Sequence, residues 1–150
     1  MPIVPMLQKH AKVIARWRYD GIYAVYNAPQ RRAPLDGTAF VWLDSDGRIA
    51  GHFSFGQDGR IPTAENFEYT SDHLDIGLGL RPDLCGKGLG PFFVSMCMEY
   101  GRKAFGQDKF RLSVAAFNQR AVKVYLKAGF SVTGQVTHAQ SEEKFYIMTV

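Results

Sequence analysis

Three glycines alternate with other residues in Leu84-Cys85-Gly86-Lys87-Gly88-Leu89-Gly90, and Pro91 follows them. Proline suits the first turn of a helix, where its missing N–H would have been unpaired anyway. A helix N-terminus presents free N–H groups and a partial positive charge, and glycines let a phosphate come close to that backbone. The segment therefore predicts a cradle for a pyrophosphate-bearing ligand. Spacing argues against two other nucleotide motifs. The triphosphate loop needs Gly-Lys followed by Ser or Thr, whereas Lys87 is followed by Gly88. The dinucleotide fingerprint needs G-x-G-x-x-G opening the fold, whereas Gly86, Gly88 and Gly90 give G-x-G-x-G in mid-chain.

A second constellation lies downstream, in Asn118-Gln119-Arg120-Ala121-Val122-Lys123-Val124-Tyr125-Leu126-Lys127-Ala128-Gly129-Phe130. Residues seven apart on a helix share a face about 10 Å apart, so Asn118 and Tyr125 could line one elongated ligand. This run resembles the N-x-x-A-x-x-x-Y-x-x-x-G-F helix of the GNAT superfamily of N-acetyltransferases. The glycine turn resembles that family's pyrophosphate loop, with Gly88 and Gly90 on its glycines and Cys85 where the family has Gln or Arg. The resemblance runs from about residue 39 to the C-terminus. It implies acetyl-CoA as donor, an amine-bearing small molecule or protein as acceptor, and direct transfer without a covalent enzyme intermediate. By the same resemblance the cofactor would be held by Leu80, Cys85, Gly86, Lys87, Gly88, Leu89, Gly90 and Asn118. Tyr125 would protonate the leaving thiolate, a step open to a hydroxyl that stays protonated at neutral pH. A backbone N–H near Leu80 could polarise the thioester carbonyl.

The base is open to several residues. Asp75 is the candidate on the central strand, while Glu65, Glu68 and His73 lie on or near the preceding loop. Cys85 sits in the phosphate turn, a pantetheine length from the thioester, which makes it a poor nucleophile. His10, His52 and His138 have no metal-ligand spacing with Cys85 or Cys97, so no metal is expected.

Apolar spacing sets out the elements that would position these groups. Residues 6–18 follow helical periodicity, and an aromatic stretch holding Tyr19, Tyr23 and Tyr26 closes at Asn27-Ala28-Pro29. Residues 39–44 and 49–55 read as a hairpin around Ser45-Asp46-Gly47-Arg48, followed by a polar loop over 56–71. From His73 to Leu80, Leu74, Ile76, Leu78 and Leu80 alternate with Asp75, Gly77 and Gly79. Such paired glycines mark either a bulge or a close approach by a ligand or another backbone. A helix from Pro91 to Phe105, a strand over 111–117, a helix capped by Asn118 and ended by Gly129, and strands over 131–136 and 144–150 complete the order. The fold class is α/β, a mixed sheet with helices on both faces, in a single domain over residues 1–150.

With 46% hydrophobic and 21% charged residues in 150, the composition is that of an ordinary globular domain able to bury a full core. Two cysteines, no leader and no apolar run of about twenty residues predict a soluble, cytoplasmic protein without disulfides or a membrane partner. The net charge of +4 is spread along the chain, which favours a solvated surface over nucleic-acid binding. A homodimer is compatible with this reading. The alternative function is an acyl-CoA-binding regulatory module without turnover.

Overall fold

Asp44 opens the hairpin turn by accepting from Gly47 N–H at 3.0 Å, and Gly47 adopts φ 77°, a conformation that favours glycine. The turn joins β2 (Ala39–Leu43) to β3 (Ile49–Phe55), as the sequence predicts. The computed structural model describes residues 2–27 and 35–150, so Ala28 and Pro29, the expected close of the aromatic stretch, lie outside the described residues. Before the hairpin come β1 (Ile3–Pro5) and α1 (Gln8–Ile14); after it come β4 (Leu74–Leu80), α2 (Gly90–Phe105), β5 (Phe110–Ala115), α3 (Gln119–Lys127), β6 (Ser131–Thr137) and β7 (Lys144–Thr149). The seven strands form one sheet in the order β1-β2-β3-β4-β5-β7-β6. Only β4 and β5 run parallel.

Alternation along the strands divides the apolar residues between two faces. Phe40, Trp42, Phe53, Phe55, Ile76, Phe110, Leu112 and Val114 pack with Phe93, Val94, Cys97 and Met98 of α2 and with Val122 and Tyr125 of α3. Val41, Ala39 and Ile49 face the other way and pack with Met6, Ala11, Ile14 and Trp17. Helices thus cover both faces, with α2 and α3 together on one of them. The first helix is shorter than its periodicity predicts. Met6 N–H donates to Ala39 O at 2.9 Å and Leu7 is extended, so residues 3–6 are drawn into the sheet. At the other end, Trp17 N–H turns back to Ile14 O and stops the helix.

The central feature is a gap. β4 and β5 are paired only at Leu74↔Phe110 and Asp75↔Arg111, after which they separate. Arg111 donates to both carboxylate oxygens of Asp75, at 2.7 and 2.9 Å, across the last paired position. Arg60 from the loop donates to the same carboxylate at 2.8 Å, and the Tyr69 ring lies against both guanidiniums. This cluster closes the apex of the gap. The glycines of β4 make no bulge: Gly77 and Gly79 pair in continuous register with Ser54 and His52. A Cβ at Gly79 would lie 2.7 Å from His52 Nε2, and one at Gly77 would lie 3.1 Å from Ser54 Oγ and 3.4 Å from Gly59 Cα. The close approach is therefore made by neighbouring protein.

Candidate active site

The chain leaves β4 through a short 3-10 turn, Pro82–Leu84, and passes the glycine segment to enter α2 with proline in its first turn. Gly86 and Gly88 adopt φ of 72° and 81°, where a side chain is strained. A Cβ at Gly88 would meet nothing within 4 Å, and one at Gly86 would meet only the Arg120 side chain, at 3.6 Å. The backbone is bared there without any protein group filling the space. Gly90 differs, because its Cβ would lie 2.7 Å from Val124 Cγ2. That glycine lets α2 and α3 approach one another.

A cavity of about 720 Å³ runs from this turn through the gap between β4 and β5. Leu80, Cys85, Gly86, Gly88, Gly90, Asn118 and Tyr125 line it, which brings together seven of the ten residues singled out in the sequence. Lys87 and Leu89 are not among its walls, and neither is Asp75. Asp75 is 1% exposed with both oxygens held by guanidiniums. In this position its carboxylate neutralises two arginines at the apex of the gap. Glu65 is bound to Thr137 through both oxygens, and Glu65, Glu68 and His73 also lie outside the walls of this cavity.

Asn118 caps α3 by accepting from Ala121 N–H at 3.1 Å, and its Nδ2 donates to the Tyr26 hydroxyl at 3.1 Å. Tyr26 also stacks on Phe117 at 6.0 Å, and the Arg120 guanidinium covers the Tyr23 ring at 4.1 Å. The Tyr19 hydroxyl donates to Leu80 O at 2.8 Å. The aromatic segment walls the cavity with Trp17, Tyr19, Tyr23 and Tyr26. Arg120, Lys123 and Lys127, at helical spacing on α3, add positive charge.

Burial sets the protonation of the site. It pushes the Tyr125 hydroxyl well above the ordinary tyrosine value, so this buried group is a phenol at any physiological pH. Burial likewise raises the Cys85 thiol, whose Sγ–H points at the carbonyls of Leu80 and Arg81 at 3.8 and 3.7 Å. That is the environment of a resting thiol. His52 lines the cavity beside Trp17, with ring centroids 5.7 Å apart, and burial lowers its pKa to about 4 against the opposing pull of Asp58. The imidazole is neutral. Sequence reading considered His52 only as a metal ligand, and among the described residues no group of three or more His, Cys, Asp or Glu is placed to hold a metal.

A second cavity, of about 540 Å³, meets the same gap beneath the 58–62 loop and the β6–β7 turn. Leu78, Ser113 and Tyr125 line both cavities, so Tyr125 stands at their common wall.

The strand pair that opens beside a glycine turn at a helix N-terminus is an architecture this chain shares with known proteins. The chain belongs to the acetyltransferase (GNAT) family, whose model matches residues 10–130. It is 36% identical over 59 residues to the spermidine N(1)-acetyltransferase of Escherichia coli K12, a stretch that is 39% of this chain and 32% of that protein. The match thus spans about a third of the relative's length. Among solved structures, a chimeric spermidine N-acetyltransferase from Vibrio cholerae superimposes with a TM-score of 0.74 at 15% identity, covering 99% of this chain and 93% of the other. The Vibrio cholerae spermidine N-acetyltransferase in complex with CoA and spermine gives 0.69 at 14% identity, covering 99% and 94%. At that identity the likeness establishes the shared fold.

Proposed function

We propose that this chain transfers an acetyl group from acetyl-CoA directly to a primary amine. The observation that carries this reading is the cavity through the β4–β5 gap, which begins at bared glycine backbone and ends at a buried, protonated Tyr125. The residues present fit the cofactor: Gly86 and Gly88 leave room for pyrophosphate at the α2 N-terminus, and Arg120, Lys123 and Lys127 supply cations around it. When bound, acetyl-CoA supplies the activated thioester. The amine forms a C–N bond as the C–S bond breaks and its electron pair stays on sulfur.

Tyr125 gives the proton that the departing thiolate takes up and recovers one from solvent afterwards. His52 accepts a hydrogen bond from the incoming amine and orients it, but with a pKa of about 4 it does not retain a proton at neutral pH. The amine therefore reacts in its neutral form and its surplus proton leaves to water. A backbone N–H at the open end of β4 polarises the thioester carbonyl. The two cysteines are both free, which fits the cytoplasm as the setting, and among the described residues no helix is long and apolar enough to cross a membrane.

CoA should raise the melting temperature of the wild-type chain, because a ligand selective for the folded state adds stability by mass action. Gly88→Asp should abolish that rise by placing a carboxylate in the cradle. A well-folded Gly88→Asp variant with the full rise would displace the site. An acyl-CoA-binding module without turnover is the second reading, favoured by the commitment of Asp75 to two arginines. Release of free thiol from acetyl-CoA over an amine panel separates the two, since a sensor releases none above background.

A further inference from the structure

The acceptor end of the cavity can be located from strand alternation. His52 and Gly79 face the side of the sheet opposite to Phe53 and Leu80, and that side carries Ile14 and Trp17. The glycine turn feeds α2, which covers the first side. A donor laid on the glycines and passing through the gap therefore presents its acyl group towards Ile14, Trp17 and His52.

The charges along that route are one-sided. Among the described residues the main cavity has three cationic side chains in its walls and no carboxylate. The second cavity has Asp58, which accepts from Ser54 Oγ at 2.7 Å, and Arg60, which is tied to Asp75. Glu143, an exposed carboxylate that acts electrostatically on Tyr26, lies outside both linings. In the main cavity, which holds Trp17 and His52, a polyamine would meet no carboxylate among the described walls, only the more distant influence of Asp58 and Glu143, which is unfavourable for several ammonium groups taken out of water. Apolar and aromatic walls favour the opposite ligand, a ring carried on a short chain with a single amine.

Resting on the acetyltransferase reading above, we infer that the acceptor is an arylalkylamine-type monoamine, recognised by the Trp17 ring and the aromatic wall beside it, and that polyamines are poor acceptors. One ammonium suffices for recognition because it faces ring π-surface, and it must be neutral only at the moment of attack. The new C–N bond forms on the amine nitrogen, the thioester C–S bond breaks, Tyr125 protonates the sulfur, and the proton lost from the amine to water is returned by solvent to the Tyr125 phenolate.

The test is a set of initial rates of thiol release at saturating acetyl-CoA with 2-phenylethylamine, tryptamine, spermidine, putrescine, lysine and an aminoglycoside, with acetylated product identified by mass. The expected result is a kcat/KM for 2-phenylethylamine or tryptamine at least tenfold above that for spermidine. Trp17→Ala should raise KM for the aromatic amine about tenfold or more with the KM for acetyl-CoA unchanged, and Trp17→Phe should retain most of the affinity. Preference for spermidine, lysine or the aminoglycoside would overturn the inference while leaving the acetyltransferase reading intact. If no amine is acetylated although CoA still raises the melting temperature, both fall.

Discussion

Of the three glycines in the turn, the structure gives Gly90 a packing task and leaves Gly86 and Gly88 to the ligand, and Gly90→Ala separates the two roles. The added methyl would lie 2.7 Å from Val124 Cγ2 and 3.0 Å from Cγ1, against ordinary contacts that begin at 3.4 Å. Either Val124 or the whole of α3 must retreat by several tenths of an ångström. Overpacking of this kind costs about 1–3 kcal/mol, and the better helix propensity of alanine offsets up to about 1 kcal/mol of it. A net loss of about 1–2 kcal/mol corresponds in a chain of this size to a melting temperature lower by roughly 2–8 °C. Val124→Ala removes both obstructing methyls. The double variant should then be more stable than the sum of the single losses predicts, by about 1–2 kcal/mol in a thermal or urea double-mutant cycle. It should also keep the rise in melting temperature with CoA. Strictly additive losses, or loss of CoA binding in a stable double variant, would refute the division of labour among the glycines.

Three further outcomes are expected. Tyr125→Phe should lower kcat on the order of a hundredfold while barely changing the KM for acetyl-CoA, and near-normal turnover would leave water or the amine as proton donor. Asp75→Asn removes the charge between a 3%-exposed Arg111 and Arg60, so chemical denaturation should show a loss of about 3–5 kcal/mol with kcat of the folded enzyme changed only a few-fold. An equally stable but inactive Asp75→Asn enzyme would assign it the role of base instead. His52 has its folded pKa depressed to about 4 from an ordinary 6.5, so the unfolded chain binds the extra proton first as pH falls. Stability attributable to His52 is thus complete above about pH 6.5 and lost towards pH 4, on the order of 2–3 kcal/mol. His52→Gln should flatten that part of the stability profile, and an unchanged slope would show that the imidazole titrates normally.

What the sequence made legible was local. The α3 cap, the Gly129 stop and the hairpin turn are each specified by residues within a few positions of one another, and the structure places them as read. β1 escaped because three residues carry no periodicity, and its place is set by pairing with a strand more than thirty residues later. Alternation correctly assigned Asp75 to the glycine face of β4, but it could not supply the partners that neutralise it, which come from 15 residues upstream and 36 downstream. His52 left a faint signal, a single titratable side chain inside an apolar strand. Its meaning depends on register, since only pairing with Gly79 opens the space that its ring occupies. The opening between β4 and β5 is a property of the assembled sheet, and no segment announces it.

That opening gives the sheet a second pair of margins. An ordinary open sheet has two outer strands whose unpaired N–H and C=O groups invite other chains, and here the inward sides of β4 and β5 beyond Asp75 and Arg111 add two more in the middle of the molecule. Side chains cover part of this backbone, the Tyr19 hydroxyl and the Cys85 thiol both reaching Leu80 O. Under the function proposed above, the amides of a pantetheine arm would bridge these two margins. Amide exchange along Leu78–Leu80 and 113–115, measured with and without CoA, would report directly whether the ligand covers these margins.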